Sequence, residues 1–555
     1  MTGFVSGRTH EREGLAVRQY VWLARSRPIR LLLIAWFLSY AGDLAAFTAA
    51  SVYVYRVGGA AYVGLLGLLK ALPGALLVPL VASWSDRVRR ERLLTVAVAL
   101  RALLLGAAAA VMTGGINAIL VLVLVGLEAG LASVFRQVQA ALLPWLARTP
   151  DELTHANTAV GVMQSAAMLS GPAVAAGLLA VSTPQAAMFA ACGFTAVAAV
   201  VLAGVRPLSS QHPVEAVRWL KQLRLDIAAG FEAGIRRRGV LPLVIPAAAQ
   251  TFARGVLSVL TVTIALDLFG LGSAGVGWLT AVLGAGGVLV GPFAAVLVRG
   301  QRVARCFAAG IAGWGVPMIL LAFTHAWYWP YLMFGLIGAA NVFDDAGVYS
   351  ALQQVIPCRQ IGRALGMRRA VLLLSMGLGS VVAPLMIDAL GARGALITTG
   401  LLLVVIVAFS VPSLTAIDHR ISEPGPDLAL LRQVSFFGPL PFAIVEHLAS
   451  ELRSATYEPG HVIIQDGQPG ELFYMIADGR ARVCKDGKEL RQMKTGESFG
   501  EIALLRQIPR TATVIAMGRL QARTLTREEF LAAVTGNAAS AEGADEVVST
   551  RLQAG

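Results

Sequence analysis

Cysteine is scarce in this chain. Four occur in 555 residues, at Cys192, Cys306, Cys358 and Cys484, with no paired spacing. That excludes a disulfide framework and a thiolate metal cluster, and leaves them as small packing residues. Charge is also sparse, at 14% of residues, and acids are outnumbered 33 to 46 by lysine and arginine. The segment before Arg27 is polar and basic, with no apolar core leading to a cleavage site, so no removable signal peptide is expected. No stretch presents a nucleophile–base pair, a metal-ligand cluster or a Walker lysine motif. An enzyme is therefore not expected, nor a metal or cofactor.

What the chain has instead is apolar surface: 56% hydrophobic residues and a mean hydropathy of +0.68. One core cannot bury that much, so membrane lipid is the expected surrounding. Twelve apolar spans follow one another, at about 30–55, 61–84, 93–112, 118–143, 155–181, 185–205, 240–267, 272–298, 303–323, 328–356, 364–390 and 394–411. A crossing needs about 20 residues, which each span approaches or exceeds. The net charge of +13 does not point to nucleic acid, because the basic residues sit between spans rather than on one soluble face. Arg87, Arg89, Arg90 and Arg92, Arg148, Arg218 to Arg238, Arg299 to Arg305, and Arg359 to Arg369 occupy one set of connections. The alternate set carries almost none beyond Arg56 and Arg393. Positive-inside then places both termini in the cytoplasm of a multi-pass plasma (inner) membrane protein.

The chain also repeats itself. Gly64 and Gly277, Pro79 and Pro292, Arg92 and Arg305, and Pro144 and Pro357 are each 213 residues apart, and Pro172 and Pro384 are 212 apart. Two homologous halves of six helices suit alternating access around a central site. Ser83–Leu94, SWSDRVRRERLL, with its acid followed by several bases, resembles the signature loop of the major facilitator superfamily. The resemblance implies a cytoplasmic gating network of Asp86, Arg87 and Arg90. Ala82 and Arg89 replace the loop's glycines, and the second half keeps only bases. SGPAVAAG at Ser170–Gly177 is similar to the glycine–proline motif of the drug-exporting branch, and reads equally as a bend with close helix packing.

Ionisable residues inside spans cost about 2.5–3.5 kcal/mol or more at mid-bilayer. Asp43, Glu128, Arg254, Asp344 and Asp345 fall in spans that line the family's central cavity, and are the candidates for transport and proton coupling. Arg254 is expected to pair with Asp344 or Asp345. Lys70 and Arg101 offer the competing explanation, in which Asp43 belongs to a buried ion pair and carries no proton. Between the halves, Val214–Gly234 has the spacing of an amphipathic helix on an anionic inner surface, or of a simple connector.

Phe499–Val514, FGEIALLRQIPRTATV, has a different chemistry. Gly500 permits close approach of backbone N–H groups to a phosphate, and Arg510 can meet its oxygens with two parallel hydrogen bonds. Glu501 would repel that phosphate, but suits a neighbouring sugar hydroxyl. The implied ligand carries a phosphate and a ribose on one edge. The stretch resembles the phosphate-binding cassette of cyclic-nucleotide-binding domains. So does Glu458–Val483 upstream, where Gly460, Gly467, Gly470 and Gly479 punctuate alternating apolar runs as in a β-roll. Phe436–Leu452 is similar to that family's helical lead-in. By resemblance the ligand contacts are Gly500, Glu501, Ile502, Ala503, Arg510, Thr511 and Ala512, with cAMP and cGMP both open; the other reading is a roll that kept its shape and lost its ligand. The tail beyond Phe530 shows only a weak helical pattern, at 544–552.

The expected fold is a polytopic α-helical membrane protein of twelve transmembrane helices in two pseudo-symmetric six-helix bundles, followed by a C-terminal α+β cyclic-nucleotide-binding β-roll. Its order is a cytoplasmic segment (1–29), a first bundle (30–206), an amphipathic linker (207–238), a second bundle (239–414), a linker (415–432), the nucleotide domain (433–540) and a tail (541–555). The expected function is secondary transport, proton-coupled efflux of a small or amphiphilic molecule, controlled by the nucleotide. The alternatives are a non-transporting, membrane-anchored nucleotide receptor and, less in keeping with an appended site, the nucleotide as cargo.

Overall fold

The computed structural model describes residues 27–84, 90–115, 117–146, 150–204, 241–297, 303–355, 358–422, 426–438, 440, 442–535 and 538–553. The N-terminal segment before Arg27, Asp86 and Arg87 of the gating loop, the linker helix at 214–234 and residues 423–425 of the second linker lie outside the described residues. The chain divides into two compact units, Met1–Tyr349 with Arg363–Thr415, and Ser350–Gly362 with Ala416–Gly555.

The first unit is helical. Its helices are α1 (Arg27–Trp84), α2 (Arg90–Gly114), α3 (Ala118–Leu146), α4 (Pro150–Val181), α5 (Pro184–Ala203), α6 (Leu241–Thr263), α7 (Gly272–Leu297), α8 (Val303–Ala322), α9 (Trp329–Val355) and α10 (Cys358–Ser422). A π-turn, Ile264–Leu268, follows α6. Two helices are broken inside: α1 at Gly58 and Gly59, where Gly59 has φ 62° and ψ −156°, and α10 at Gly391, with φ 70° and ψ 168°. Only glycine enters the backbone region of Gly59 and Gly391 without strain, so these residues let one helix end and the next begin without a loop. Among the described residues, eight stretches are long and apolar enough to cross a membrane by length and composition. Two of them, Ile29–Ala75 and Arg368–Ala416, hold 47 and 49 residues and contain these breaks. Cys306–Ala322 and Trp329–Phe343 are shorter apolar helices.

The sequence repeat has a geometric counterpart. The break at Gly59 and the left-handed Gly272 that opens α7 (φ 68°) are 213 residues apart, as are the first residues of α2 and α8. The aligned Gly64 and Gly277 make reciprocal contacts. A Cβ on Gly64 would lie 2.5 Å from the Ser380 carbonyl oxygen and 2.9 Å from the Pro384 ring. A Cβ on Gly277 would lie 2.7 Å from both the Pro172 carbonyl oxygen and Ala176. Each glycine of one half therefore packs its backbone on the proline-bearing helix of the other half, as small residues allow where helices approach closely.

The second unit contains α11 (Pro426–Gln433), a 3-10 turn (Ser435–Phe437), α12 (Phe442–Glu451) and eight strands. These are β1 (Arg453–Tyr457), β2 (Val462–Ile464), β3 (Leu472–Asp478), β4 (Arg480–Lys485), β5 (Lys488–Lys494), β6 (Ser498–Phe499), β7 (Thr513–Ala516) and β8 (Leu520–Thr526). Helix α13 (Glu501–Arg506) interrupts the strands after β6, while α14 (Arg527–Thr535) and α15 (Ala538–Gln553) follow them. The strands form two antiparallel sheets, ordered β1-β8-β3-β6 and β2-β7-β4-β5. Ile476, Phe499 and Ala522 of the first sheet share a buried cluster with Ile464, Met493 and Val514 of the second. Alternation sends one face of each strand into that cluster. A second core joins the helices to the roll through edge-on contacts among Phe436, Phe437, Phe473 and Phe530. The tail is better ordered than its weak pattern suggests. Ala544 and Val548 are fully buried, and Ser540 donates to the Phe436 carbonyl, so docking rather than intrinsic propensity holds α15.

Candidate functional site

The cassette is assembled where β6 runs into α13. β6 pairs with β3, placing Phe499 opposite Tyr474 with their rings stacked at 4.9 Å. The next residue, Gly500, takes φ 92° and caps α13. A Cβ there would lie 2.7 Å from Arg510 Nη1 and 3.1 Å from the Leu472 carbonyl oxygen, so glycine is required twice, by backbone conformation and by space. Beyond it, the first N–H groups of α13, at Glu501, Ile502 and Ala503, belong to the turn whose donors have no partner within a helix.

Arg510 arrives on the loop before β7 and is 7% exposed. Its Nη1 donates to the Gly500 carbonyl at 2.8 Å and its Nη2 to the Leu472 carbonyl at 2.7 Å. Its own backbone N–H donates to Gln468 O at 2.8 Å, and its carbonyl accepts from Gly467 at 2.9 Å. The loop is thus fastened from both sides. A guanidinium has five N–H donors, so these two bonds leave donors for a phosphate. Burial lowers the Arg510 pKa, while Tyr474 and Glu501 pull it upward. Gly470 completes the wall: a Cβ there would lie 2.8 Å from Ala503 Cβ and 3.1 Å from Arg510 Cζ. Thr511 and Ala512, half-buried, continue from Arg510 into β7.

Glu501 is 1% exposed. One carboxylate oxygen accepts from Arg551 of α15, whose Nη1 also donates to the Ser498 carbonyl at 2.9 Å. The other, Oε2, is buried with no hydrogen-bond partner. Such an acceptor is costly unless a donor arrives, and a sugar hydroxyl is such a donor. Sequence reasoning missed Arg551. The only signal was an arginine within the weakly helical tail. The Gly470 contact was equally hidden, although that glycine had been noted as a strand punctuation.

The membrane-type residues of the helical unit form a separate constellation. Asp43 pairs with Lys70 at 2.9 Å, and Arg136 lies 3.8 Å away. Glu128 pairs with Arg101 at 2.6 Å, and Arg101 also donates to Ser39. Asp43 and Glu128 are 3% and 1% exposed, so both carboxylates sit in buried ion pairs. Lys70 is therefore a partner of Asp43 as expected, whereas Arg101 makes its pair with Glu128. The described partners of Arg254 are Asn341 and the Trp314 ring, 5.2 Å from the guanidinium carbon. Asp344 and Asp345 belong to α9, but their side chains lie outside the described residues, as does that of Arg90 at the start of α2.

Residues 454–537 match the family model described as the cyclic nucleotide-binding domain. The second unit therefore carries a cyclic nucleotide-binding domain, with the cassette inside the matched residues. Relatives resemble part of the chain. The cAMP-dependent protein kinase regulatory subunit of Yarrowia lipolytica is 41% identical over 85 residues, covering 15% of this chain and 23% of the relative. That of Schizosaccharomyces pombe is 36% identical over 103 residues, covering 18% and 25%. The cGMP-dependent protein kinase of Toxoplasma gondii is 36% identical over 86 residues, covering 16% and 9%. The chain spans a quarter or less of these curated relatives.

Proposed function

We propose that this chain is a membrane transporter whose cycle is set by a cyclic nucleotide, cAMP or cGMP, held between Gly500, Glu501 and Arg510. The observation that carries the nucleotide half is the cassette itself. A fastened arginine beside helix N–H groups and a buried carboxylate oxygen lacking a donor match a phosphate next to a ribose hydroxyl. Support for transport comes from the repeated helices, the reciprocal packing of Gly64 and Gly277, and the buried charges of the first unit. The chain is read as a secondary transporter of the major facilitator type in the inner membrane, with both termini cytoplasmic and no enzymatic step of its own. Nucleotide acts through different affinities for different transport states, a coupling of about 1–3 kcal/mol in typical allosteric proteins.

The test uses purified full-length protein. Calorimetry should show cAMP or cGMP binding that Arg510→Ala and Glu501→Ala each weaken at least about tenfold, with the helical content by circular dichroism unchanged. Flux in proteoliposomes should then respond to nucleotide in the parent and not in these variants. Binding without any flux would identify an anchored receptor; no binding of either nucleotide would end the regulatory reading.

A further inference from the structure

The β4–β5 hairpin of the second unit is charged unlike the domain around it. Residues 480–494 carry six lysines and arginines against two acids, whereas in the rest of the matched residues 454–537 eight acids outnumber five bases. The chain has only five lysines, and three of them, Lys485, Lys488 and Lys494, are in this hairpin. Ala481 and Met493 lie in the core between the two sheets. Alternation therefore turns Arg480 and Arg482 of β4 and Lys494 of β5 away from that core, and all three are exposed. Among the described residues, none of the three has an ion-pair partner.

Folding alone does not ask for this arrangement. Arg480 stands directly opposite Lys494, and like charges across a pair of strands destabilise a sheet. Lysines on β5 blunt an open sheet edge, since β5 ends the order β2-β7-β4-β5. That does not account for Arg480 and Arg482, because β4 is flanked by β5 and β7. The same outer face carries apolar side chains. Ile515 of β7 is opposite Arg482, and Val462 of β2 is opposite Ile515. Met517, whose N–H donates to the Arg480 carbonyl at 3.0 Å, is 44% exposed, and Val462 is 46% exposed. The acids nearest in the chain stand at the margin, Asp478 on β3 of the other sheet and Glu458 on the turn before β2.

Cations interleaved with exposed apolar side chains match a bilayer surface, where anionic headgroups answer the charge and apolar groups enter the interface. The attachment of the domain favours that partner. Nine residues separate Ala416, the end of the last apolar stretch, from Pro426 at the start of α11. Such a connection reaches at most about 30 Å, so a weak surface contact is strengthened by a high effective concentration of lipid. We propose that the outer face of the β2-β7-β4-β5 sheet, centred on Arg480, Arg482 and Lys494, rests on anionic lipid headgroups of the bilayer that the helical unit spans. This rests on the membrane reading of that unit and is independent of transport.

The test uses full-length protein in nanodiscs of phosphatidylcholine, alone or mixed with phosphatidylglycerol. Acetylation of Lys488 and Lys494 by a water-soluble N-hydroxysuccinimide ester is read by mass spectrometry. With phosphatidylglycerol present it should slow by at least about threefold, and high salt should remove the difference. Arg480→Glu/Arg482→Glu should also remove it, with a Tm no lower than the parent's, because both side chains are exposed and one faces Lys494. Equal rates in the two lipids, or slowing that survives the double variant, overturns the proposal. Protection by a DNA duplex but not by phosphatidylglycerol overturns it too, and assigns the face to nucleic acid. Protein that does not enter the discs refutes the membrane reading and this surface together. Protein that enters them and shows equal rates loses the surface alone.

Discussion

Arg551→Ala is the sharpest test of how the nucleotide site is held together. In the parent, Arg551 reaches from α15 to one oxygen of a carboxylate that is 1% exposed, and its own side chain is 21% exposed. Removing it leaves Glu501 buried with neither oxygen engaged, so the carboxylate must take up a proton, swing away or draw in water. In each case the acceptor aimed at the ribose hydroxyl is lost. A hydrogen bond to a charged group contributes about 1.5–3 kcal/mol, so the Kd for cAMP or cGMP should rise about ten- to a hundredfold. Calorimetry on the full chain measures this directly. The decisive comparison is a double-mutant cycle, because Arg551 is argued to act only through Glu501. In a Glu501→Ala background, Arg551→Ala should cost nothing further. Additive losses would refute the positioning role, and tighter binding by the single variant would show that Arg551 blocks the site.

Other perturbations probe other joints. Gly500→Ala forces an L residue to φ 92° at a cost of roughly 1–2 kcal/mol and pushes on Arg510, so nucleotide binding measured by calorimetry should fall more than for Gly518→Ala, where a Cβ meets open space. Arg101→Met strands the buried Glu128 and should destabilise the helical unit by about 3–5 kcal/mol, read as a lower Tm in detergent, with Arg101→Met/Glu128→Leu restoring much of it. Gly64→Val and Gly277→Val should lower the Tm by similar amounts, each corresponding to about 1–3 kcal/mol of overpacking, and a neutral Gly277→Val would contradict the reciprocal contact.

The nucleotide site was largely legible because its chemistry is local. Gly500, Glu501 and Arg510 lie within eleven residues, and glycine and arginine at that spacing constrain what can bind. What could not be read was contributed from a distance. Leu472 supplies only its carbonyl, which no side chain announces, and Arg551 reaches the site because α15 docks on Phe436. A helix with few apolar residues looks weak on its own pattern, and its stability comes from the surface it covers.

The helical unit shows the opposite balance. Hydrophobic runs and the 213-residue offset made the element order readable, and even the positive-φ glycines Gly59 and Gly272 fall on that offset. Charge pairing was not readable, because helix periodicity narrows which residues face inward without saying which inward residues meet. Arg101 was a plausible partner for Asp43 until the helices were placed, and it binds Glu128 instead, leaving Lys70 for Asp43. That exchange changes the functional question. A carboxylate without a partner is available to a passing proton, whereas one held by a lysine or arginine can carry a proton only by giving up that ion pair. Any transport role for Asp43 or Glu128 must therefore include the breaking and remaking of its pair with Lys70 or Arg101.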